Sequence, residues 1–123
     1  MTPPRLPQPS KVILRFPFNT ATKHEKAAWL RTFQMPKGAQ IIAFDILPDG
    51  PNLWALCDQA APTESRYIAC PSTGQQLPAH FDPQTDKRVR HIATKQFQVA
   101  SKPGAINVIH VFEVPASYAI LPG

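Results

Sequence analysis

Histidine is the side chain best suited to acid–base chemistry near neutral pH, because an unperturbed imidazole changes charge between about pH 5 and pH 8. The chain contains four: His24, His80, His91 and His110. None has the closely spaced Cys, His or carboxylate neighbours of a zinc site, so we expect no bound metal. His91 and Thr94 resemble half of a two-histidine phosphoesterase motif, in which a hydroxyl residue stands two positions after each histidine. Here the spacing is three and no hydroxyl residue follows His110 at that distance, so the sequence does not predict that enzyme.

A catalytic hydroxyl or thiol needs a base beside it and a third group that orients the base. Ser72, Thr73 and Cys57 are available as nucleophiles, but no local motif such as Gly-x-Ser-x-Gly frames any of them. The acidic residues include no pair on one predicted strand face, an arrangement that would suggest general acid–base catalysis. We therefore expect a protein that is not an enzyme and that uses no cofactor.

The segment from Pro71 to Gln76 is the one loop that could present a nest of backbone N–H groups to an anion. It lacks the lysine and the glycines of a phosphate-binding P-loop, and a purely structural turn is the alternative. The densest basic group of the chain follows it at Lys87, Arg88 and Arg90. We expect the contacts to a small anionic ligand in these two segments, at Ser72, Thr73, Gly74, Lys87, Arg88, Arg90 and His91.

The overall charge is a weak indication of anionic partners. Thirteen Lys and Arg residues against eight Asp and Glu residues give a net charge of +5, and a basic surface attracts phosphates. The basic residues are scattered, and aromatic residues do not alternate with them as they do in RNA-binding sheets. A nucleic-acid-binding module therefore stays an alternative to a small-ligand module.

Composition excludes several classes of protein. With 123 residues and 43% hydrophobic residues, the chain fits one globular domain rather than a disordered segment. No stretch approaches the roughly 20 apolar residues that span a bilayer, and the proline-rich start does not have the pattern of a secretory signal. Two cysteines are too few for a disulfide scaffold. These features predict a location in the cytoplasm, with no membrane partner.

The spacing of apolar residues along the chain predicts the strands and the helix that would position these candidate residues. Residues 1–10 contain four prolines and are expected to form a disordered tail. Lys11 to Phe18 alternates like a strand. Thr22 to Thr32 is predicted to be a short helix, because Thr22 and Glu25 have the spacing of a capping box and Trp29 would share a face with Phe33.

From Phe33 onward the pattern is β. Further strands are predicted within 41–46, 53–58, 65–70, 89–99 and 106–114, with a long loop over 71–88. In the first of these, Ile42, Phe44 and Ile46 are expected on one face, with Ile41, Ala43 and Asp45 on the other. The sequence thus predicts a mainly β fold: a small antiparallel β-sandwich or barrel of about six strands with one short helix. The domain would span 11–115, followed by a tail at 116–123 with exposed apolar residues.

Apolar residues on both faces of Leu53 to Asp58 predict a central or covered strand. We expect Trp54 and His110 in the core or at a subunit contact. Tyr118 and Leu121 in the C-terminal tail are candidates for docking onto a partner. Apolar residues on both faces of several strands, and edge strands without a full set of protective charges, predict that the protein forms a homo-oligomer.

A resemblance covers residues 35–114. The segments that carry it are Met35-Pro36-Lys37-Gly38-Ala39, Leu53-Trp54-Ala55-Leu56 and His110-Val111-Phe112-Glu113. They resemble a family of small tailed-phage and prophage proteins known only as a domain of unknown function. The chain departs from that family in its proline tail, in the insertion at 23–31, in the long 78–90 loop, and in Ser72 where the family tends to have glycine.

The resemblance implies a phage or mobile-element origin and carries over no catalytic residues. Together with the lack of a catalytic set, it leads us to expect a non-enzymatic phage accessory protein in the host cell. That protein would be an oligomeric module that neutralises a host protein or a small anionic signalling ligand. The alternatives are a nucleic-acid-binding module and a structural or interaction protein of the virion.

Overall fold

The computed structural model describes residues 11–99 and 101–119, which form eight β-strands and two short 3-10 helices. The strands are β1 (Lys11–Pro17), β2 (Thr22–His24), β3 (Ala27–Pro36), β4 (Gln40–Leu47), β5 (Gly50–Asp58), β6 (Thr63–Ala69), β7 (Arg90–Gln98) and β8 (Ile106–Val114). The 3-10 helices are Phe18–Thr20 and Ala116–Ala119. No helix in these residues is long and apolar enough to cross a membrane.

The strands of the described segments form two separate antiparallel sheets and no closed barrel. One sheet has three strands in the order β1-β5-β4, and the other has five in the order β2-β3-β6-β8-β7. The predicted mainly β, antiparallel fold is confirmed. β5 is the central strand of its sheet, as its two apolar faces indicated.

The main hydrophobic core lies between the two sheets, which makes the fold a sandwich. Each sheet contributes apolar side chains from its inner face, and the first 3-10 helix adds Phe18. The buried members are Phe18, Phe33, Met35, Ala39, Ile41, Phe44, Leu53, Ala55, Cys57, Ile68 and Val111.

The predicted helix over Thr22 to Thr32 is wrong. These residues form β2, a tight turn at Glu25 and Lys26, and the first half of β3. β3 continues as a ten-residue strand paired with β6, where Leu30 lies opposite Ala69 and both are fully buried. A ten-residue helix is marginal in water, whereas the strand gains a partner on each side, so tertiary pairing outweighs the local capping signal.

The face assignment in β4 is also wrong, because a bulge interrupts the alternation. The register shifts between Ile41 and Ala43, which leaves Ile42 as the extra residue. Ile41 and Phe44 therefore both face the core, while Ile42 keeps 48% of its surface exposed. An inserted residue reverses the face of every residue after it.

A second hydrophobic cluster covers the outer face of the five-stranded sheet. The long loop after β6 and the second 3-10 helix fold over this face and bring Phe81 and Tyr118 against it. The ring of Phe81 lies 5.0 Å from that of Phe112 on β8 and 5.9 Å from that of Tyr118. The long loop predicted over 71–88 thus covers part of this face.

Tyr118 is buried, with 1% of its surface exposed, so the expectation that it is an exposed tail residue is wrong. It packs on the sheet because loop 71–89 provides an apolar surface that the strand pattern alone did not reveal. Leu121 and the predicted tail at 1–10 lie outside the described residues.

Candidate functional site

A bulge in β7 brings His91 and Thr94 to the same face of the five-stranded sheet. The register of β7 against β8 shifts between His91 and Ala93, so Ile92 is an extra residue. In a regular strand, residues three positions apart point to opposite faces. The bulge removes that difference, and the Nε2 atom of His91 lies 2.9 Å from Oγ1 of Thr94.

The neighbouring strand adds a second imidazole. Thr94 lies directly opposite His110 in the β7–β8 register, and its Oγ1 is 3.2 Å from Nδ1 of His110. One threonine hydroxyl therefore bridges two histidine rings from two strands.

The third contribution comes from the loop after β6, which lies along β8 where β6 has ended. Ser72 forms a bridge with Ile109, the Thr73 N–H donates to the carbonyl of Val108 at 2.9 Å, and the His110 N–H donates to the carbonyl of Pro71 at 2.9 Å. These backbone bonds hold the Ser72–Gly74 turn beside His110.

The side chain of Thr73 completes the group, because its Oγ1 lies 2.7 Å from Nε2 of His110. We call Thr73, His91, Thr94 and His110 the His–Thr cluster. Three separate segments supply its members, which form one continuous chain of hydrogen bonds on the exposed outer face of the sheet.

The surroundings of the His–Thr cluster are aromatic on one side. The His91 ring meets the ring of Phe112 at 5.1 Å and 65°, and Phe112 in turn packs on Phe81. These contacts restrict the His91 ring. No hydrogen bond or ion pair within residues 11–99 and 101–119 joins either imidazole of the cluster to a carboxylate.

The predicted basic segment does not join the cluster. Arg88 donates two hydrogen bonds to the Asp86 carboxylate, from Nε to Oδ1 at 3.0 Å and from Nη2 to Oδ2 at 3.1 Å. This pairing holds the pKa of Asp86 below its ordinary value and raises that of Arg88. The Nζ atom of Lys87 lies 3.5 Å from the carbonyl oxygen of Gln84.

Arg90 belongs to a different network on the inner side of the sheet. It donates to Oε1 of Glu113 at 3.0 Å. Arg66 donates to the same carboxylate, from Nε to Oε2 at 2.5 Å and from Nη2 to Oε1 at 3.0 Å. Arg66 also donates to the carbonyl of Ala39 at 2.7 Å. Burial is the largest single influence on the pKa of Arg66 and lowers it. The hydrogen bond to Glu113 and the nearby negative charges together outweigh burial, so the pKa lies above its ordinary value. The structure therefore brings together Ser72, Thr73, Gly74 and His91, and separates Arg88 and Arg90 from them.

The residues predicted for interfaces are dispersed. Trp54 lies half-buried on the outer face of the three-stranded sheet, opposite Arg15 on β1 and Ala43 on β4. His110 is half-buried in the His–Thr cluster, and Tyr118 is under the long loop. In the described segments, no group of three or more His, Cys, Asp or Glu side chains lies close enough to hold a metal ion.

Sequence reasoning identified Thr73 and His91 but did not predict that His110 contacts both Thr73 and Thr94. The contact from Thr73 to His110 spans 37 positions, and the Ile92 bulge is invisible to a period-two pattern. The one available signal was the His91–Thr94 pair, whose spacing of three becomes compatible with a shared face once a bulge is allowed.

Comparison with known proteins supports the predicted membership of a family known only as a domain of unknown function. No match is found among the curated proteins or among the solved structures. The family model described as Domain of unknown function (DUF7352) matches residues 9–120. That match covers nearly the whole chain, and the chain therefore belongs to the DUF7352 family.

Proposed function

We propose that this protein is a phage or prophage accessory module that binds and sequesters a small phosphorylated signalling ligand in the host cytoplasm. The observation that carries the proposal is the His–Thr cluster, in which two imidazoles and two hydroxyls meet on an exposed sheet face. The phage context is supported by the resemblance of the Met35–Ala39, Leu53–Leu56 and His110–Glu113 segments to small tailed-phage proteins.

The chemistry of the cluster suits a phosphate. A hydroxyl donates one hydrogen bond and a protonated imidazole donates two, and charge-assisted bonds to phosphate oxygens are stronger than neutral ones. A phosphate that binds over the cluster can accept a hydrogen bond from Nδ1–H of His91, because Thr94 contacts the other nitrogen of that ring. The bonds that join both rings to Thr94 then stay in place.

The basic segment is the competing location for the ligand. Arg88 and Arg90 are bonded to Asp86 and Glu113, and those carboxylates offset the positive charge that would attract a phosphate. We therefore assign the phosphate to the His–Thr cluster, and the ligand role of Lys87, Arg88 and Arg90 stays a prediction from the sequence.

Titration calorimetry with ATP, 3′,5′-cyclic AMP and cyclic di-AMP tests the assignment. We expect binding of at least one of these probes, weakened about tenfold or more in His110→Ala because the ring that holds Thr73 and Thr94 in the cluster is lost. Arg88→Ala is the matched control and should bind as the native protein does. Loss in Arg88→Ala with retention in His110→Ala would move the site to the basic segment. Failure of all three probes, with salt-sensitive retention on single-stranded DNA, would favour the nucleic-acid alternative.

The oligomeric part of the proposal is supported by the three-stranded sheet. β1 is an edge strand with a single neighbour, and it has exposed apolar residues on both faces: Ile13 at 56% and Leu14 at 37%. Such an edge is a template for pairing with another chain. We propose that a second copy pairs there, next to the outer face that bears Trp54.

Light scattering on Ile13→Asp tests this contact, since a buried carboxylate would disrupt it. Ile106→Asp is the matched control, because Ile106 is equally apolar and 61% exposed but lies on the other sheet. We expect a mass above that of one chain for the native protein and the control, and a monomer for Ile13→Asp. A native monomer would exclude the dimer.

A further inference from the structure

We propose that Thr73 is a nucleophile, that His110 is its base, and that Thr94 and His91 carry the proton away from His110. The electrophile would be the phosphodiester group of the ligand, so the inference rests on the proposed function and extends it from reversible binding to covalent capture. The carrying observation is the unbroken hydrogen-bond chain from Thr73 through His110 and Thr94 to His91.

The distances fit an activated hydroxyl. Nucleophile and base normally lie about 2.6–3.2 Å apart, with a third group orienting the base. Thr73 Oγ1 is 2.7 Å from Nε2 of His110, and Thr94 Oγ1 is 3.2 Å from Nδ1 on the opposite side of the same ring. Thr94 therefore has the position of the orienting group, and His91 holds Thr94 at 2.9 Å.

All three hydrogen bonds of the chain can be satisfied at once when each group donates to the next, starting from Thr73. If Thr73 donates to Nε2 of His110, the Nδ1–H of His110 donates to Thr94, and the Thr94 hydroxyl donates to Nε2 of His91. A neutral imidazole has one donor and one acceptor nitrogen, so every bond is satisfied. This arrangement leaves His110 Nε2 free of a proton, as a base requires.

Proton transfer along the chain then exchanges the donor and the acceptor in each of its three hydrogen bonds. His110 takes the Thr73 proton at Nε2 and releases its Nδ1 proton to Thr94, which passes its own hydroxyl proton to His91. The charge thereby moves to His91, which is exposed, and His110 becomes neutral again. The resulting imidazolium of His91 lies on the same face as the reacting group and can stabilise a phosphoryl anion.

The step balances without a metal or a redox partner. Thr73 Oγ1 forms a bond to phosphorus, and the bond from phosphorus to the leaving oxygen breaks with its electron pair on that oxygen. The leaving oxygen takes the proton from the His91 imidazolium and becomes a hydroxyl group. The product is a phosphodiester on Thr73; a cyclic ligand is ring-opened and keeps the new hydroxyl group, whereas a linear ligand releases it as an alcohol.

Both threonines of the chain are exposed, but Thr73 has fewer hydrogen-bond partners than Thr94. Thr94 is bonded to two imidazoles within a strand, whereas Thr73 is bonded to one and lies in an exposed turn. The next residue, Gly74, has a φ of +88°, a conformation that L side chains rarely adopt. This turn presents the Thr73 hydroxyl on the surface while its backbone stays bonded to β8.

No other charged group on these strands is bonded to the relay. Next to His91 and Thr94 along β7, Arg90 is bonded to Glu113 and Lys95 lies 4.0 Å from Asp45 on β4. Both belong to the opposite face of the sheet.

Labelling with diisopropyl fluorophosphate, a phosphorus electrophile with fluoride as leaving group, tests the nucleophile. We expect one adduct per chain in the intact mass, located at Thr73 by peptide mapping. Exposed hydroxyls without a histidine partner, Thr63 and Ser101, are internal controls and should stay unmodified. Labelling spread equally over such hydroxyls, or no labelling of Thr73, would overturn the inference.

Variants separate the roles within the chain. Thr73→Ser should keep labelling and Thr73→Val should abolish it, with unchanged circular dichroism. His110→Gln should slow labelling about 100-fold or more, the usual contribution of general base catalysis. For the native protein the rate should rise with pH as the relay becomes neutral. Thr94→Val is expected to shift that profile, which a merely structural role would leave in place.

The two proposals fail separately. Calorimetric binding of the nucleotide probes without labelling of Thr73 would leave reversible sequestration standing and remove the nucleophile. Labelling of Thr73 without nucleotide binding would keep the activated hydroxyl and exclude the phosphorylated ligand class proposed above.

Discussion

At the scale of single residues, the arginines of the predicted basic segment, Arg88 and Arg90, are each paired with a carboxylate. Asp86 and Asp82 lie in the same loop and both have a lowered pKa, for different reasons. For Asp86 the main cause is the hydrogen bond from Arg88, whereas for Asp82 it is hydrogen bonding to Thr85 and Gln84. The pKa values of these two neighbouring carboxylates therefore depend on different hydrogen bonds.

Arg88→Ala should raise the pKa of Asp86 towards its ordinary value, because the guanidinium that favours the charged form is removed. The pairing favours the folded state above the ordinary carboxyl pKa, and that contribution fades as the pH falls through the lowered value. A carbon-detected NMR titration of the carboxyl groups measures the shift. Asp82 should titrate as before, and a pKa of Asp86 unchanged by the substitution would contradict the pairing.

The cysteines provide a second prediction at this scale. Burial raises the pKa of both the Cys57 and the Cys70 thiols, and the thiolate is the reactive form. We expect neither to react readily with a thiol reagent at neutral pH in the folded protein, with Cys57, which is fully buried, the slower of the two. Both should react at once in denaturant. Rapid reaction of native Cys57 would be inconsistent with its position in the core.

At the scale of elements, two bulges decide which side chains meet. The bulge at Ile42 directs Ile41 and Phe44 into the core, and the bulge at Ile92 brings His91 to the face of Thr94. Each lies in a strand at an edge of its sheet, where such irregularities are common. The His–Thr cluster therefore depends on one inserted residue in β7.

Neighbouring alanine substitutions in β4 test the bulge. Ile41→Ala should lower the free energy of unfolding by about 2–4 kcal/mol, because it opens a cavity in the core. Ile42→Ala should change it by less than about 0.5 kcal/mol, as expected for an exposed position. Urea unfolding of the two variants gives both values. Equal losses, or a larger loss for Ile42, would mean that β4 alternates regularly.

At the scale of the whole molecule, the sandwich has one covered and one open outer face. The loop after β6 and the second 3-10 helix cover the five-stranded sheet, while Ile13 and Ile42 on the three-stranded sheet are half exposed. The His–Thr cluster lies at the margin of the covered face, on edge strand β7 and its neighbour, where Thr73, His91 and Thr94 are exposed. The open face is the one for which we propose pairing with a second copy.

Tyr118→Ala should destabilise the fold by about 3 kcal/mol, because it removes a large ring from the second core. Tyr118→Phe should be nearly neutral, since the hydroxyl makes only a 3.4 Å contact with the His80 carbonyl. Ser117→Ala, at an exposed neighbouring position, is the control. Thermal unfolding followed by circular dichroism compares the three. A Tyr118→Ala variant as stable as the control would show that the second core contributes little.

Local patterns in the sequence determined much of the β architecture. Asp49 and Gly50 mark the turn between β4 and β5, and the apolar residues of β5 and β8 indicated strands that end at the residues observed, Asp58 and Val114. Alternation works there because these strands have regular registers, so a residue's face follows from its position. The turn at Ser72–Gly74 and the basic segment were also visible as candidate sites.

Tertiary structure alone decided the rest. Thr22 to Thr32 carries a helix signal that local energetics support, and only pairing of β3 with β6 makes it a strand. The His–Thr cluster requires a bulge, a cross-strand register and a loop that returns to β8, none of which has a local signature. Hydrogen bonds between residues distant in sequence depend on the path of the whole chain, and for that reason Thr73 and His110 could be chosen singly from the sequence but not recognised as partners.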